Sequence, residues 1–367
     1  MILRIGIIGT RGIPNYHGGF EQFAEFFASF LAEKKHDVYV YSSCSHPYKE
    51  NTFNGVNIIH CKDPEEKIGT IGQFIYDLNC ILDARKRNFD IILQLGYTSN
   101  SIWRRLLPKN SIIITNMDGL EWKRAKYNKG VRLFLKYAES LAIKGSDYLI
   151  SDSIGIKNYL KNEYNVDSKY IPYGAEKFES PNIKRLDKFG IDAFQFNLLI
   201  ARMEPENNIE IILDGATKSK NKTTFLIIGK YNNSFGKYLK KKYKNQKHIK
   251  FLGGIYDLED LNNLRYYSKL YFHGHSVGGT NPSLLEAMAS NSLVIAHQND
   301  FNYTILGKDA FYFSGVDEVT KYMDTLLNKN EYSTMLENNL IKIEQLFSWP
   351  KVNNSYLSFF KEVYEKN

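Results

Sequence analysis

Cysteine is scarce in this 367-residue sequence: Cys44, Cys61 and Cys80 are all it has, and none stands in a CxxC pair. An odd, sparse set of thiols gives neither a disulfide framework nor zinc spacing, so a reducing compartment is the simplest home. Long apolar runs are missing as well, with nowhere the about 18 consecutive apolar residues that mark a spanning helix. The opening Met1-Ile-Leu-Arg-Ile-Gly-Ile-Ile8 runs straight into a strand pattern without the architecture of a cleavable signal. A cytoplasmic protein is expected, at most peripheral at the inner face of the cytoplasmic membrane. Repeats and low-complexity tracts are absent. No cluster of acidic metal ligands stands beside the glycine loops, and no aromatic-basic module points to nucleic acid, so no metal, resident cofactor or nucleic-acid partner is expected.

What is present is length, positive charge and alternation. A chain this long exceeds what one core usually serves, and two α/β domains of similar size are expected. The balance of 48 Lys+Arg against 40 Asp+Glu, a net +8, suits an anionic partner such as a phosphate ligand, a membrane surface or nucleic acid, and charge alone does not choose among them. Short apolar runs alternate with longer amphipathic stretches, the pattern of parallel sheets with helical crossovers. Strands are predicted over Arg4–Ile8, Asp37–Tyr41, Asn57–His60, Ile91–Leu95, Ser111–Thr115 and Tyr148–Ile150, with helices near Phe20–Glu33, Gly72–Arg87 and Gly130–Lys144. A second series follows over Gln195–Ile200, Thr223–Ile228, Ile249–Leu252, Leu270–Phe272 and Leu293–Ala296. The expected division is residues 1–178, 179–348 and a terminal helix within 349–367 that packs back on the first domain.

Two glycine-bearing loops carry the chemistry. Gly9-Thr-Arg-Gly-Ile-Pro14, continuing to Gly18-Gly-Phe-Glu21, leaves the first strand; Gly278-Gly-Thr-Asn-Pro-Ser-Leu-Leu-Glu286 joins a strand end to a helix start. Unpaired N–H groups and the peptide dipoles make a helix start an anion site, and Glu286, inside the helix, is placed to accept bonds from a hydroxylated ligand. A nucleotide fits that description. A Rossmann dehydrogenase does not: from Gly9 the G-x-G-x-x-G spacing requires glycine where Arg11 and Pro14 stand, and no acidic residue ends the second strand.

With both loops in view the chain resembles a family-4 glycosyltransferase of the GT-B fold. Tyr170-Ile-Pro-Tyr-Gly174 resembles the family's interdomain turn, Ala201-Arg-Met-Glu-Pro-Glu-Asn-Asn208 its phosphate-binding loop, and Gly278–Ala289 its E-x7-E segment. The first-domain loop together with Asp118-Gly-Leu-Glu-Trp-Lys-Arg124 looks like a bacterial subgroup that includes rhamnosyltransferases building capsule, O-antigen and cell-wall rhamnan. Two positions depart from the family pattern. Gly278 stands where many members have the first Glu, and Asn207 where they have a lysine. Both departures fall on the donor, so hexose specificity is not carried over, and a deoxysugar is compatible.

The resemblance implies two Rossmann-like doubly wound domains facing across a cleft, transfer with retention, and no metal. The expected donor is dTDP-rhamnose and the expected acceptor a lipid-linked glycan; another nucleotide-sugar, or a catalytically silent nucleotide-sugar-binding partner protein, is the alternative. Arg202 is expected to clamp the leaving diphosphate, since guanidinium offers a permanently charged bidentate fork. Gly12, Gly18, Gly19, Asn207, Gly279, Thr280, Asn281 and Glu286 are expected around the donor, with Arg11 supplying the charge of the absent lysine. Asp118, after a strand end, is expected to orient or deprotonate the acceptor hydroxyl, with Glu21, Tyr16 and Tyr97 around the acceptor. His273 and His275, one face of a strand end, are expected to pack rather than bind metal. The basic, apolar segment Lys123–Lys136 is either a solvated face or a resting surface on anionic lipid.

Overall fold

The computed structural model describes residues 1–117, 119–124, 127–325 and 328–367. Two compact units divide the described residues: the first holds Met1–Lys123, Tyr127–Tyr173 and Trp349–Asn367, the second Arg124 and Gly174–Ser348.

In the first unit strands β1 (Arg4–Ile8), β2 (Asp37–Ser43), β3 (Thr52–Phe53), β4 (Val56–Cys61), β5 (Ile91–Leu95), β6 (Ile112–Asn116), β7 (Tyr148–Ser151) and β8 (Lys169–Tyr170) form one sheet. Helices α1 (Gly19–Glu33), α2 (Glu65–Ile68), α3 (Ile71–Ala84), α4 (Lys129–Gly145) and α5 (Ile154–Tyr164) cover it. The order is β3-β4-β2-β1-β5-β6-β7-β8. Every residue of β5 is buried, as expected of a central strand covered on both faces. The sheet is parallel except at its edge, where β3 runs antiparallel to β4. There Asn54 and Gly55 sit at φ 45° and 80°, the two-residue hairpin turn that Asn-Gly favours. A two-residue strand leaves no periodicity to read, which is why β3 and β8 escape the sequence pattern.

The second unit has strands β9 (Phe196–Ile200), β10 (Thr224–Ile228), β11 (Ile249–Gly253), β12 (Leu270–His273), β13 (Val294–His297) and β14 (Phe311–Phe313). Between and after them run α6 (Ile209–Lys218), α7 (Ser234–Lys242), α8 (Leu258–Tyr267), α9 (Pro282–Ala289), α10 (Asp300–Leu306), α11 (Val316–Thr325) and α12 (Ser333–Lys342). The sheet order is β11-β10-β9-β12-β13-β14, and its strand pairs are parallel.

The chain closes with α13 (Trp349–Lys366), which belongs to the first unit. Phe23, Ala24, Phe27, Ala28 and Leu31 form the buried stripe of α1 at helical spacing. Against that stripe α13 lays Trp349, stacked on Phe26 at 4.6 Å, and Tyr356, 4.8 Å from Phe23. Tyr356 Oη also accepts from Asn116 Nδ2 at 2.9 Å, tying α13 to the end of β6. Each such ring removed from water contributes about 1.5–3 kcal/mol.

Both sheets are doubly wound. In each the chain begins in the middle, steps outward, then crosses to the other side: from β1 to β2 and β4, then β5; from β9 to β10 and β11, then β12. Loops leaving β1 and β5, and likewise β9 and β12, therefore part company at the strands' carboxyl ends, and crevices for ligands open at such switch points.

Candidate functional site

The first switch point holds a pocket of about 480 Å³, lined by the loops after β1 and β5 and by the near faces of α1, α3 and α4. A Cβ at Gly9 (φ 88°) would overlap Leu95 O, so only glycine lets β1 turn away this close to β5. Next along, Arg11 N donates to Glu21 Oε1 at 2.8 Å, so the first turn of α1 fixes the loop. The Arg11 guanidinium pairs with Asp63 at 2.9 Å and with Glu65, over the ring of Tyr76 at 5.6 Å. Its charge is thus met inside this unit, which corrects the expectation that Arg11 replaces a donor-site lysine.

Asp77 is the carboxylate that sequence reading missed. It lies in the pocket wall on α3, buried, with its carboxyl bonded by Ser99 Oγ. Burial pushes it up to about 6, against the pull of the Ser99 bond and the Arg11 charge. The signal was available: Asp77 falls in the stripe Tyr76, Asp77, Cys80, Ile81, Ala84 that α3 buries, and an acid at a core position of an amphipathic helix marks a site.

Of the first-unit residues expected at a ligand, Glu21 and Tyr97 line the pocket; Gly12, Tyr16, Gly18 and Gly19 do not. Gly12 (φ 127°) is glycine because a Cβ there would overlap Ser42 Oγ, a packing demand of β2. Gly18 is the extended N-cap of α1 (φ −177°), and Gly19 O accepts from Tyr173 Oη at 3.1 Å. Tyr16 is exposed, its ring edge-on to His46 at 5.5 Å. Tyr97 is 1% exposed, its hydroxyl within 3.3 Å of Gly119 O and of Glu139; it walls the pocket rather than offering a free face for stacking. Asp118 lies outside the described residues.

The second switch point is built from backbone. Asn207 Nδ2 donates to Arg202 O at 2.7 Å, closing the loop after β9 on itself. Asn208 Nδ2 reaches Gly274 O at 2.7 Å, and Ser276 donates to Glu206 O through N at 3.0 Å and Oγ at 2.8 Å. The loops after β9 and β12 are thereby joined, so closely that a Cβ at Gly274 would overlap Asn207 O. Asn207, buried and bonded within its own loop, holds that loop instead of a donor. Arg202 is exposed and makes no ion pair among the described residues. Glu206 keeps both carboxylate oxygens buried without a donor, the kind of group a hydroxylated ligand would satisfy.

After β12, the N–H groups of Gly278 and Gly279 make no hydrogen bond among the described residues. Gly278 has φ 139° and open space where its Cβ would stand. Asn281 caps α9 by accepting from Ser283 N at 3.0 Å, while Leu284 N reaches Asn281 O at 3.0 Å. The helix start is therefore largely satisfied from within, and the free donors lie one step upstream, in the glycines before buried Thr280. Glu286 Oε2 is bonded by Arg265, a guanidinium 1% exposed on α8. It stands at the site as one half of a buried ion pair, not as a lone acceptor.

His273 and His275 stack at 4.4 Å beneath this loop. Burial lowers His273 to about 3, and burial, then His273 and the Arg202 charge, hold His275 well below its ordinary range. Both are neutral imidazoles. Among the described residues no group of three or more His, Cys, Asp or Glu is placed to hold a metal ion, and no helix is long and apolar enough to cross a membrane.

Residues 3–176 match the domain of unknown function DUF1972, and residues 187–342 match the glycosyl transferases group 1 family. An uncharacterized glycosyltransferase of Methanocaldococcus jannaschii is 24% identical, over 95% of this chain and 97% of its own. Among solved structures, sucrose-phosphate synthase of Thermosynechococcus elongatus superposes with a TM-score of 0.80 at 14% identity over the whole of both chains. Anabaena HepE, in complex with UDP and glucose, gives 0.76 at 15% identity over 98% of this chain and 100% of its own. The chain has the GT-B fold, and its group 1 match over residues 187–342 supports a glycosyltransferase.

Proposed function

We propose that this protein is a retaining, metal-independent glycosyltransferase of family 4 that moves rhamnose from dTDP-rhamnose to a lipid-linked glycan in the synthesis of a bacterial surface polysaccharide. The observation that carries the reading is the second switch point, where exposed Arg202 and the N–H groups of Gly278 and Gly279 stand together with no ion pair or hydrogen bond among the described residues. Cleaving a sugar–phosphate bond leaves negative charge on the diphosphate, and preorganised donors aimed at that charge lower the barrier most. Gly278 also supports a deoxysugar, because it leaves open space where many family members carry a hydroxyl-binding glutamate.

The first-unit pocket is the acceptor's place on this reading. Its one guanidinium is already neutralised by Asp63 and Glu65, while Glu21 and Asp77 add carboxylates and Phe20, Phe74 and Phe134 add apolar rings. Such a lining repels phosphate and suits an uncharged sugar, whose hydroxyls need acceptors and whose C–H faces rest on rings. Asp118 is the base we assign to the acceptor hydroxyl; Asp118→Asn should spare donor binding and lower transfer on the order of 10²-fold.

A second reading, a UDP-sugar donor, is favoured by the Anabaena HepE complexes with UDP and UDP-glucose. Thermal stabilisation by dTDP, UDP, GDP and NAD at matched concentrations separates the two, since ligand at about a hundred times its dissociation constant adds roughly 2.7 kcal/mol. The largest shift with dTDP, followed by release of dTDP from dTDP-rhamnose on adding acceptor, is the expected outcome. A larger shift with UDP discards rhamnose, nucleotide binding without turnover on any donor means a silent partner protein, and a shift with NAD alone overturns the assignment.

A further inference from the structure

Glu286 does not meet the second switch point with both its oxygens. Oε2 is bonded by Arg265 Nη2, while Oε1 makes no hydrogen bond among the described residues. The guanidinium reaches it from α8 and donates through Nη1 to Asn262 Oδ1 at 3.0 Å. It also lies against the hydroxyl of Tyr271, fully buried on β12. Its Nε is buried with no acceptor among the described residues. A buried ion pair gains little stability over apolar side chains of the same volume, and a donor left unpaired costs more. The effect of the pair is therefore on Glu286: one oxygen is held and one is presented.

The neighbouring donors say what the presented oxygen meets. The N–H groups of Gly278 and Gly279 suit a phosphate, and Glu286 follows about 7.5 Å along α9 from the Asn281 cap. In a nucleotide the group next to the phosphates is the pentose. A carboxylate with both oxygens free takes a cis-diol, one hydroxyl on each oxygen. With Oε2 held by Arg265, Glu286 takes one hydroxyl, and a second would lose its hydration without gaining an acceptor. The ribose of a nucleoside diphosphate carries two free hydroxyls; 2′-deoxyribose carries one.

We propose that Arg265 is a positioning residue which, by holding one oxygen of Glu286, makes the second switch point select a 2′-deoxyribonucleoside diphosphate over its ribose counterpart. Resting on the nucleotide-sugar reading above, this selection narrows it: the site reads the donor's pentose, whatever it reads of the base. Arg265 touches no ligand itself and acts only through the oxygen that it leaves free.

Calorimetric titration of the full chain with dTDP and with ribothymidine diphosphate is the test, since the two differ only in the 2′-hydroxyl. The native chain should bind dTDP about tenfold tighter or more, the scale of one hydroxyl left without a partner. In Arg265→Met both oxygens of Glu286 are free, and the ratio should fall towards one; Arg265→Lys, which keeps a charged donor, should retain most of it. The freed carboxylate repels both diphosphates alike, so a general loss of affinity or stability cancels from the ratio. A native ratio near or below one overturns the proposal even where Arg265→Met does not fold, and so does an undiminished ratio in a folded Arg265→Met. Binding of UDP or GDP with neither thymine nucleotide bound also overturns it and leaves the glycosyltransferase reading standing, whereas binding of no nucleotide at all removes both.

Discussion

The two units share one winding plan and use its switch point in opposite ways. In the first, side chains close a pocket of about 480 Å³ around carboxylates and rings, and its guanidinium is already paired. In the second, asparagine and serine side chains join two loops, and the glycine N–H groups and Arg202 are left without partners among the described residues. A doubly wound sheet supplies the position of a crevice, while the residues that fill it set the charge it offers; on the proposed reading an uncharged, hydroxylated ligand enters one and an anion the other.

The sharpest way to break that contrast is Arg202→Ala. If the second switch point is the anion site, the variant loses stabilisation by nucleotide and transfers sugar on the order of 10³-fold more slowly, the scale of removing one preorganised charged donor. Binding of an acceptor glycan to the first unit should not change. Were nucleotide binding retained, or lost equally in Arg11→Ala, the division of labour between the units would fall.

The units should also respond to pH with opposite sign. Asp77, raised to about 6 from its ordinary 3.8, holds a proton in the fold that it would release unfolded, so its contribution is present below about 3.8 and is lost as pH rises through 6. Asp77→Asn should therefore stabilise the first unit above pH 6 by roughly 3 kcal/mol and do nothing near pH 4. His273, lowered to about 3, behaves conversely: the unfolded ring takes a proton below about 6.5, so stability is full above that value and falls as pH drops towards 3. Each buried histidine should cost the second unit about 1.4 kcal/mol per pH unit in that window. Hydrogen exchange resolved by unit between pH 4 and 8 checks both signs, and a first unit more sensitive to acid than the second would reverse the assignment.

Much of the fold could be read from the chain, because β1, β5, β9 and β12 are apolar runs bounded by turn residues, and their predicted limits fall within a residue of the observed ones. The strands of two or three residues, β3, β8 and β14, were not legible, since a period of two needs more than one repeat to be recognised. The site divided along the same line. Arg202 and the Gly278–Gly279 loop are local in sequence and could be proposed from it; the partners that Arg11, Asn207 and Glu286 take are side chains brought up by other elements or backbone atoms of a folded loop, which no spacing encodes. Gly12 shows a related difficulty: a loop glycine looks alike in sequence whether a ligand or, as here, the neighbouring strand dictates it.

The smallest expected effect concerns metal. In many phosphate sites a divalent cation neutralises the diphosphate and orients it, and removing the cation stops the reaction. Here the compensating charge is proposed to come from Arg202 and from the N–H groups of Gly278 and Gly279, whose positions the joined loops after β9 and β12 determine. A chelator should then leave the rate of transfer within about twofold, because no step of this scheme draws on an exchangeable ion. If EDTA abolished transfer and Mg²⁺ restored it, the anion site would need a carboxylate to hold the ion, and Glu206, buried without a protein donor in the same loop, would become the ligand to substitute first. The contrast between the units would then soften, since a carboxylate would be working at both switch points.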